Sequence, residues 1–421
     1  MVNANDFFGK SDSEIIANAI AAKDADGIVV IPPRSAVLSP KRDFWLLDSA
    51  VILPENTTLI LRDCTLKLSD NCRDNFIRSA NAGLGIEDPS PISNIHITGE
   101  GRATLVGADH PRATGDSSKL LKRPSPHKDE DVIAYADWIP AERRVPGKVD
   151  FWDVHDYSYG TDVGKKGESQ YGDWRGIGIL FANVSDFSIE GIRIVDSHGW
   201  GISLEGCSYG SVRSIDFDMR MSKMIDGVLQ NLENQDGIDL RNGCHDITVS
   251  DISGRTGDDV IALTAIADPD YLPGGSLRTT HVMHNDWARR ERDIYNIIIR
   301  NVRAYSNLCF TVRLLPAMSQ IRNVIIDGVV DTSPDGHTHF GCILLGDLDG
   351  YGKNLVDSLK NITVSNVISK CERAVSIEGY LTDSVISNVI NSNPSGEAVV
   401  VKRTDGLKNV LMTNILSTNK S

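Results

Sequence analysis

The sequence predicts an all-β solenoid, a stack of short strands joined by bends, with a helix closing its N-terminal end. Three observations predict it. A polar residue, commonly Asn or Asp, introduces an alternating apolar triplet again and again along the 421 residues. A second family of alternating strands interleaves with the first, and only one stretch, near residue 12, has helical periodicity. The later triplets start at 295, 322, 360, 383 and 408, so they are 27, 38, 23 and 25 residues apart. Helical repeats lock nearer 33 to 45 residues and show period-3.6 faces, whereas a turn of about 22 to 27 residues suits a few short strands and their bends.

Taken in order, the elements begin with Ser11 to Glu14, S-D-S-E, a capping box, after which Ile15, Ile16, Ala19 and Ile20 recur at helical spacing as far as Asp26. The apolar run GIVVIPP follows, then strands around Ala50 to Leu53, Thr58 to Leu61 and Thr65 to Leu68. A single helix ahead of nothing but strands reads as a cap that hides an open core, here residues 1–30. The triplet family then runs SNIHITGEG from 93, SDFSIEGIRI from 185, HDITVSDI from 245, YNIIIRNVRAYS from 295, RNVIIDGVV from 322, KNITVSNVIS from 360, DSVISNVI from 383 and KNVLMTNIL from 408. The second family reads RGIGILF from 175, WGISLEG from 200, DGIDLRN from 236, DVIALTA from 259, FTVRLLP from 310, GCILLGD from 341, RAVSIEG from 373 and EAVVVKR from 397. Alternation with one buried face makes Ser203, Glu205, Asp239, Arg241, Thr264, Arg313, Ser376 and Glu378 its outward positions, a sheet face long enough for an extended chain molecule.

Two insertions break the rhythm, residues 110–173 and 268–292. The first interleaves Lys, Arg, Asp and Pro with Trp138, Trp152, Tyr157, Tyr159 and Tyr171, and the second holds Tyr271, His281, His284, Trp287, Arg289 and Arg290. Loops of this length in a solenoid are functional flaps or covers for apolar rungs. The second leaves the chain directly after Asp258 and Asp259 and is expected to overhang them. At 421 residues the chain exceeds a single compact core, and the repeat running along it makes residues 1–421 one expected elongated domain.

Composition bounds the partners. The net charge of -14 disfavours nucleic acid and anionic membranes. No stretch approaches 18 apolar residues, and MVNANDFFGK lacks the basic end and apolar core of a leader. That favours a cytoplasmic protein, or a secreted one whose leader is gone. The seven cysteines, at 64, 72, 207, 244, 309, 342 and 371, are odd in number and without C-x-x-C pairs, so they read as reduced, buried small side chains with no metal or disulfide role.

The stretch with the most chemistry is NQDGIDLRNGCHDITVSDISGRTGDDVIAL, residues 234–263. Asp236 and Asp258 are 22 residues apart (258 minus 236), about one turn, so Asp236, Asp258 and Asp259 are expected to crowd one patch of surface. Taken singly, each aspartate is also an ordinary bend residue, and acidic clusters elsewhere hold Ca²⁺. His198 and Trp200, in DSHGWGI one turn earlier, are candidates for lining a binding site or for core packing.

With these residues in view, the chain resembles glycoside hydrolase family 28, the polygalacturonases and rhamnogalacturonan hydrolases of the pectin lyase-like superfamily. The pattern covers nearly the whole chain, and the family's N-T-D-G and G-D-D-C-x-A motifs match at Asn234, Asp236, Gly237, Gly257, Asp258, Asp259 and Ala262, with Gln235 for Thr and Val260 for Cys. The resemblance implies a single-stranded right-handed parallel β-helix and an inverting glycosidase that needs no cofactor or metal. It implies Asp258 as general acid, with Asp236 and Asp259 holding and activating water, and a carbohydrate as partner. The family's G-H-G and R-I-K have no counterpart, since the corresponding strands read SNLCFTVRL and FGCILLGD. Asn234, His198, Trp200, Arg241, His281, His284 and Arg313 are the candidate substrate-binding residues, and a neutral or differently decorated sugar is expected in place of polygalacturonate. Two alternatives stay open, a Ca²⁺-dependent lyase of the same fold and a non-catalytic carbohydrate-binding β-helix like a phage adhesin. Oligomeric state is not legible.

Overall fold

The computed structural model describes residues 1–72, 74–83, 86, 88–110, 173–225, 227–232, 234–267, 280–283, 292–337 and 339–418. Nearly all of the 110–173 insertion and most of the 268–292 insertion, including His284, lie outside the described residues.

The helix spans Asp12–Ala21. Ser11 caps it, its side chain accepting from the Glu14 N–H at 3.2 Å, while Glu14 reaches back to the Lys10 N–H at 2.6 Å. It ends at Ala21, short of the expected Asp26, and buries Ile15, Ile16, Ala19 and Ile20 on the first strands.

Beyond the helix the chain is a right-handed parallel β-helix. The triplet family forms one long parallel sheet, whose order from Ile92–Val106 through Val184–Val195, Ser208–Asp218, His245–Thr256, Ile294–Ser306, Ile321–Asp331, Leu359–Ser369 and Leu381–Asn391 to Leu407–Ser417 follows the chain. The second family forms a ten-stranded parallel sheet, again in chain order, that includes Ile179–Ala182, Ile202–Glu205, Ile238–Arg241, Ile261–Ile266, Phe310–Ala317, Gly341–Leu345, Arg373–Ile377 and Glu397–Val401. Between them runs one apolar core from Ala4 to Ala398, built of stacked Ile, Val and Leu.

The polar residue before each triplet has a conformational reason. Asn296, Asn323, Asn361, Asp383 and Asn409 all take φ between +50° and +57°, and so do Asn301, Asn366, Asn388 and Asn414, each five residues after a first bend, at 54–57°. Asn and Asp tolerate this left-handed region better than other side chains. Stacked at the same corner they also bond along the solenoid. Asn296 donates to Asp246 at 3.0 Å, Asn323 to Asn296 at 3.0 Å and Asn361 to Asn323 at 2.9 Å.

The outward positions of the second sheet depart from expectation. Ser203, Glu205, Asp239, Arg241, Ser376 and Glu378 are buried, and Thr264 and Arg313 half-buried, so this is not an open face. Residues 280–283 explain part of this, because they lie back across strands Ile202–Glu205 and Ile238–Arg241. There Arg241 donates to the Thr280 carbonyl and hydroxyl at 2.7 and 3.0 Å, His281 Nδ1 lies 2.8 Å from Glu205, and the Val282 N–H donates to Glu205 at 3.0 Å.

Candidate functional site

Asp236 precedes strand Ile238–Arg241 and Asp259 precedes Ile261–Ile266, and the register Ile238 to Ile261 puts them on adjacent rungs. The Gly237 N–H donates to the Asp259 carbonyl at 2.8 Å. It is Asp259, 23 residues on, that stands level with Asp236, and Asp258 lies one residue before it. Both motif glycines are close approaches. A Cβ on Gly237 would sit 2.4 Å from the Val260 carbonyl oxygen, and one on Gly257 would sit 2.9 Å from Gln235 Cβ.

Gln235, fully buried, fixes the turn that presents these groups. Its carbonyl accepts from the Gly257 and Asp258 N–H groups at 3.0 and 3.2 Å, its amide donates to the Ser197 carbonyl at 2.8 Å, and its Oε1 accepts from the Met221 N–H at 3.0 Å. Asp258 is half-buried, while Asp236 is 7% exposed and Asp259 2%. Asp258 is therefore the carboxylate of the motif that most openly faces solvent.

Asp239 joins them. The outer-face row runs Asp239, Ala262, Arg313 on three successive rungs, and the small Ala262 side chain leaves room between the two charges. Burial raises the Asp236 carboxyl well above the usual carboxylate range, and the neighbouring Asp239, Asp258 and Asp259 raise it further. Asp239 is raised likewise, first by burial, with Arg241 opposing and Asp259 and Asp258 adding. Burial pushes Asp259 up to about 6 against the opposing pull of Arg313. Its Oδ1 accepts from the Phe310 N–H at 2.9 Å and its Oδ2 from Arg313 at 3.2 Å. The Arg313 guanidinium also lies 5.0 Å from the Tyr351 ring centroid. The cluster thus favours the protonated forms of Asp236, Asp239 and Asp259. These protons belong to the set of carboxyls more than to any one of them.

The candidate sugar-binding residues are dispersed. Asn234 sits at a left-handed bend, φ 50°, two residues before Asp236. His198 is buried, and its Nε2 accepts from the Ala108 N–H at 3.0 Å. Trp200 is half-buried with the Arg241 guanidinium 4.8 Å over its ring, and it packs on an apolar cluster holding Trp174, Ile177, Leu180 and Val282. Arg241 and His281 serve the contacts to residues 280–283 already described, and Arg313 faces Asp259. Sequence reasoning did not include Asp239, Cys309 or Tyr351 in the site. Asp239 was legible as an outward position three residues after Asp236, and Tyr351, in the segment after Gly341–Leu345, carried no signal. Cys309 places its sulfur within 4.8 Å of donor atoms on Asp258 and Asp259, a group able to hold a cation, and burial followed by the Asp258 charge raises its thiol well above the ordinary value.

Fold and site together define a parallel β-helix with a carboxylate cluster on one outer face. No protein-family model matches the chain, and no curated protein matches it. Solved structures do. A polygalacturonase from Erwinia carotovora ssp. carotovora superposes with a TM-score of 0.54 at 13% identity, covering 98% of this chain and 92% of that one. A hyperthermoactive exopolygalacturonase from Thermotoga maritima gives 0.52 at 18% identity, covering 98% and 91%. A double mutant of the tailspike protein of Escherichia coli bacteriophage HK620 gives 0.55 at 13% identity, covering 99% and 67%. At these identities the likeness shows the fold alone.

Proposed function

We propose that the protein hydrolyses a glycosidic bond in a polysaccharide or oligosaccharide, with inversion, using Asp236, Asp258 and Asp259. The observation that carries this reading is the stacking of Asp236 and Asp259 on adjacent rungs behind the half-buried Asp258, with Asp239 and Arg313 in the same cluster. Asp258, the carboxylate open to a ligand, protonates the leaving oxygen. Asp236 and Asp259 hold the attacking water, Asp259 being oriented by the Phe310 N–H and Arg313. Inversion needs room for that water, about 6.5 to 9.5 Å between acid and base. The reading draws support from the polygalacturonase names among the structural neighbours.

Arg313 is spent on Asp259, and the strand Gly341–Leu345 brings no base, so the substrate is a neutral or differently decorated sugar in place of polygalacturonate. Product analysis by mass spectrometry on pectic, rhamnogalacturonan and neutral oligosaccharides tests the proposal, with Asp258→Asn alongside. Products heavier by one water, formed by the wild type and not by Asp258→Asn, are expected, and anomeric NMR should show inversion. An unsaturated product absorbing in the ultraviolet and requiring Ca²⁺ would move the reading to a lyase. Binding without turnover in both proteins would leave a glycan-binding scaffold, as with a tailspike neighbour solved with a pentasaccharide.

A further inference from the structure

A second cluster of donor atoms lies at the same corner between the two sheets as Asp258 and Asp259, on rungs further along the solenoid. Asp331 ends strand Ile321–Asp331, His339 lies just before strand Gly341–Leu345, and Cys371 lies between Leu359–Ser369 and Arg373–Ile377, one rung further on. All three are buried, at 3%, 6% and 1% exposure. One carboxylate oxygen, one imidazole nitrogen and the sulfur lie within 4.8 Å of one another. The sulfur is 2.5 Å from His339 Nε2 and 3.2 Å from Asp331 Oδ2.

Neighbouring groups hold each donor in place. Asp331 accepts from the Ser333 and Lys370 N–H groups, both at 2.9 Å, and the Cys371 N–H donates to Ser369 Oγ at 3.0 Å. His339 packs at a tilt of 33° against His337, with ring centroids 5.1 Å apart, and His337 packs edge-on to Tyr305 at 5.3 Å. Among the described residues no Lys or Arg pairs with Asp331, and the nearby Lys370 ammonium turns instead to the Ser333 carbonyl and Asp335. The two backbone N–H donors favour the ionised carboxylate, which offers a negative oxygen ligand to a cation.

We propose that Asp331, His339 and Cys371 bind one divalent zinc ion. Thiolate, imidazole and carboxylate are the donor types zinc selects, and three protein ligands leave a fourth position for water. Binding displaces the thiol proton to solvent and leaves the two anionic ligands neutralised by the metal. The ion ties the turn holding His339 to the next rung. Since the Phe340 N–H donates to the Leu308 carbonyl at 3.2 Å, that turn also braces the segment carrying Cys309 beside Asp258. The site stands independently of the glycosidase reading, because its readout is metal binding.

The test uses the full chain, stripped with chelator under reducing conditions and titrated with Zn²⁺ and with Co²⁺. One equivalent of Zn²⁺ and a thiolate-to-cobalt charge-transfer band are expected, with a rise in Tm on zinc addition. The band should vanish in Cys371→Ser and persist in Cys309→Ser, and His339→Gln should weaken zinc about 100-fold or more. His339→Gln and Asp331→Asn, each checked by circular dichroism, carry the test should Cys371→Ser fail to fold. The absence of a cobalt–thiolate band in the wild type would overturn the proposal and leave the three as a hydrogen-bonded cluster. A band lost in Cys309→Ser and kept in Cys371→Ser would overturn it equally, by moving the metal to the aspartates.

Discussion

Arg313 lies 3.2 Å from Asp259, one rung on, and holds the second oxygen of a carboxylate whose first oxygen already accepts the Phe310 N–H. It is the cation on which the ionisation of Asp259 depends. Arg313→Gln is expected to raise the Asp259 carboxyl further above about 6. If Asp259 acts as a base, the acid limb of the pH–rate profile then moves to higher pH. Stability should fall by about 3 kcal/mol, the cost of breaking a buried pair. An unmoved acid limb, at whatever rate remains, would detach Asp259 from the base role.

Asp258 is the test of chemistry without architecture. Its side chain accepts the Asp259 N–H at 2.9 Å, a role an amide oxygen can also fill. Asp258→Asn should therefore keep the melting temperature close to wild type and lower kcat by about 10²- to 10⁴-fold. Steady-state kinetics beside a thermal melt separates the two, and unchanged kcat would remove Asp258 as the acid.

Much of this was legible in the sequence, for identifiable reasons. Wherever Asn or Asp occupies the left-handed bend, as at Asn361 and Asn366, the triplet announces its strand. The strand Ser208–Asp218 went unread because Tyr209 and Ser214 take the same bends, at 54° each, in place of Asn or Asp. Alternation identified the outward face correctly but could not show that residues 280–283 fold back over Glu205 and Arg241, a contact between segments about 40 to 75 residues apart. Asp239 was missed as a site residue for a similar reason. Its importance comes from its burial and from Asp259 and Arg313 on the next two rungs, and neither is a local property.

The buried carboxyls should be visible in the pH dependence of stability. Asp236, Asp239 and Asp259 are all raised in the folded state, so folding favours their protonated forms. For a raised carboxyl the stabilisation is complete below the unfolded value and is lost as pH rises through the folded one. For Asp259 that window is about pH 4 to 6. Asp239→Asn removes one of the interacting charges while keeping the shape. Its melting temperature should gain on wild type between pH 4 and pH 8, and a parallel offset at every pH would count against the coupling.

The asparagine ladder separates conformation from hydrogen bonding. Asn361, φ 55°, donates to Asn323 at 2.9 Å. Asn361→Gly keeps the bend and loses the bond, whereas Asn361→Ala loses both. Alanine should cost about 1–2 kcal/mol more than glycine, the penalty for a left-handed non-glycine residue. Chemical denaturation of the pair gives the difference, and equal midpoints would mean that the bond alone matters.

The pair His281 and Glu205 fixes how the chain returns over the second sheet. Glu205 is fully buried, and although desolvation works to raise its carboxyl, the charge and hydrogen bond of His281, with Arg241 and the Val282 N–H, hold it down at about 2. For a depressed carboxyl the stabilisation is present above the unfolded value, 4.5, and is lost as pH falls from there toward 2. The contact should thus be intact at neutral pH and weaken only in strong acid. His281→Ala leaves Glu205 buried with Arg241 as its remaining cation, and breaking such a pair costs about 3–5 kcal/mol. Because the Val282 N–H donates to Glu205 at 3.0 Å, its hydrogen exchange reports the contact directly. Protection at Val282 should hold in the wild type down to about pH 4.5 and fall at pH 7 in His281→Ala. Equal protection in both proteins would show that residues 280–283 are held by Arg241 and the Trp200 cluster alone.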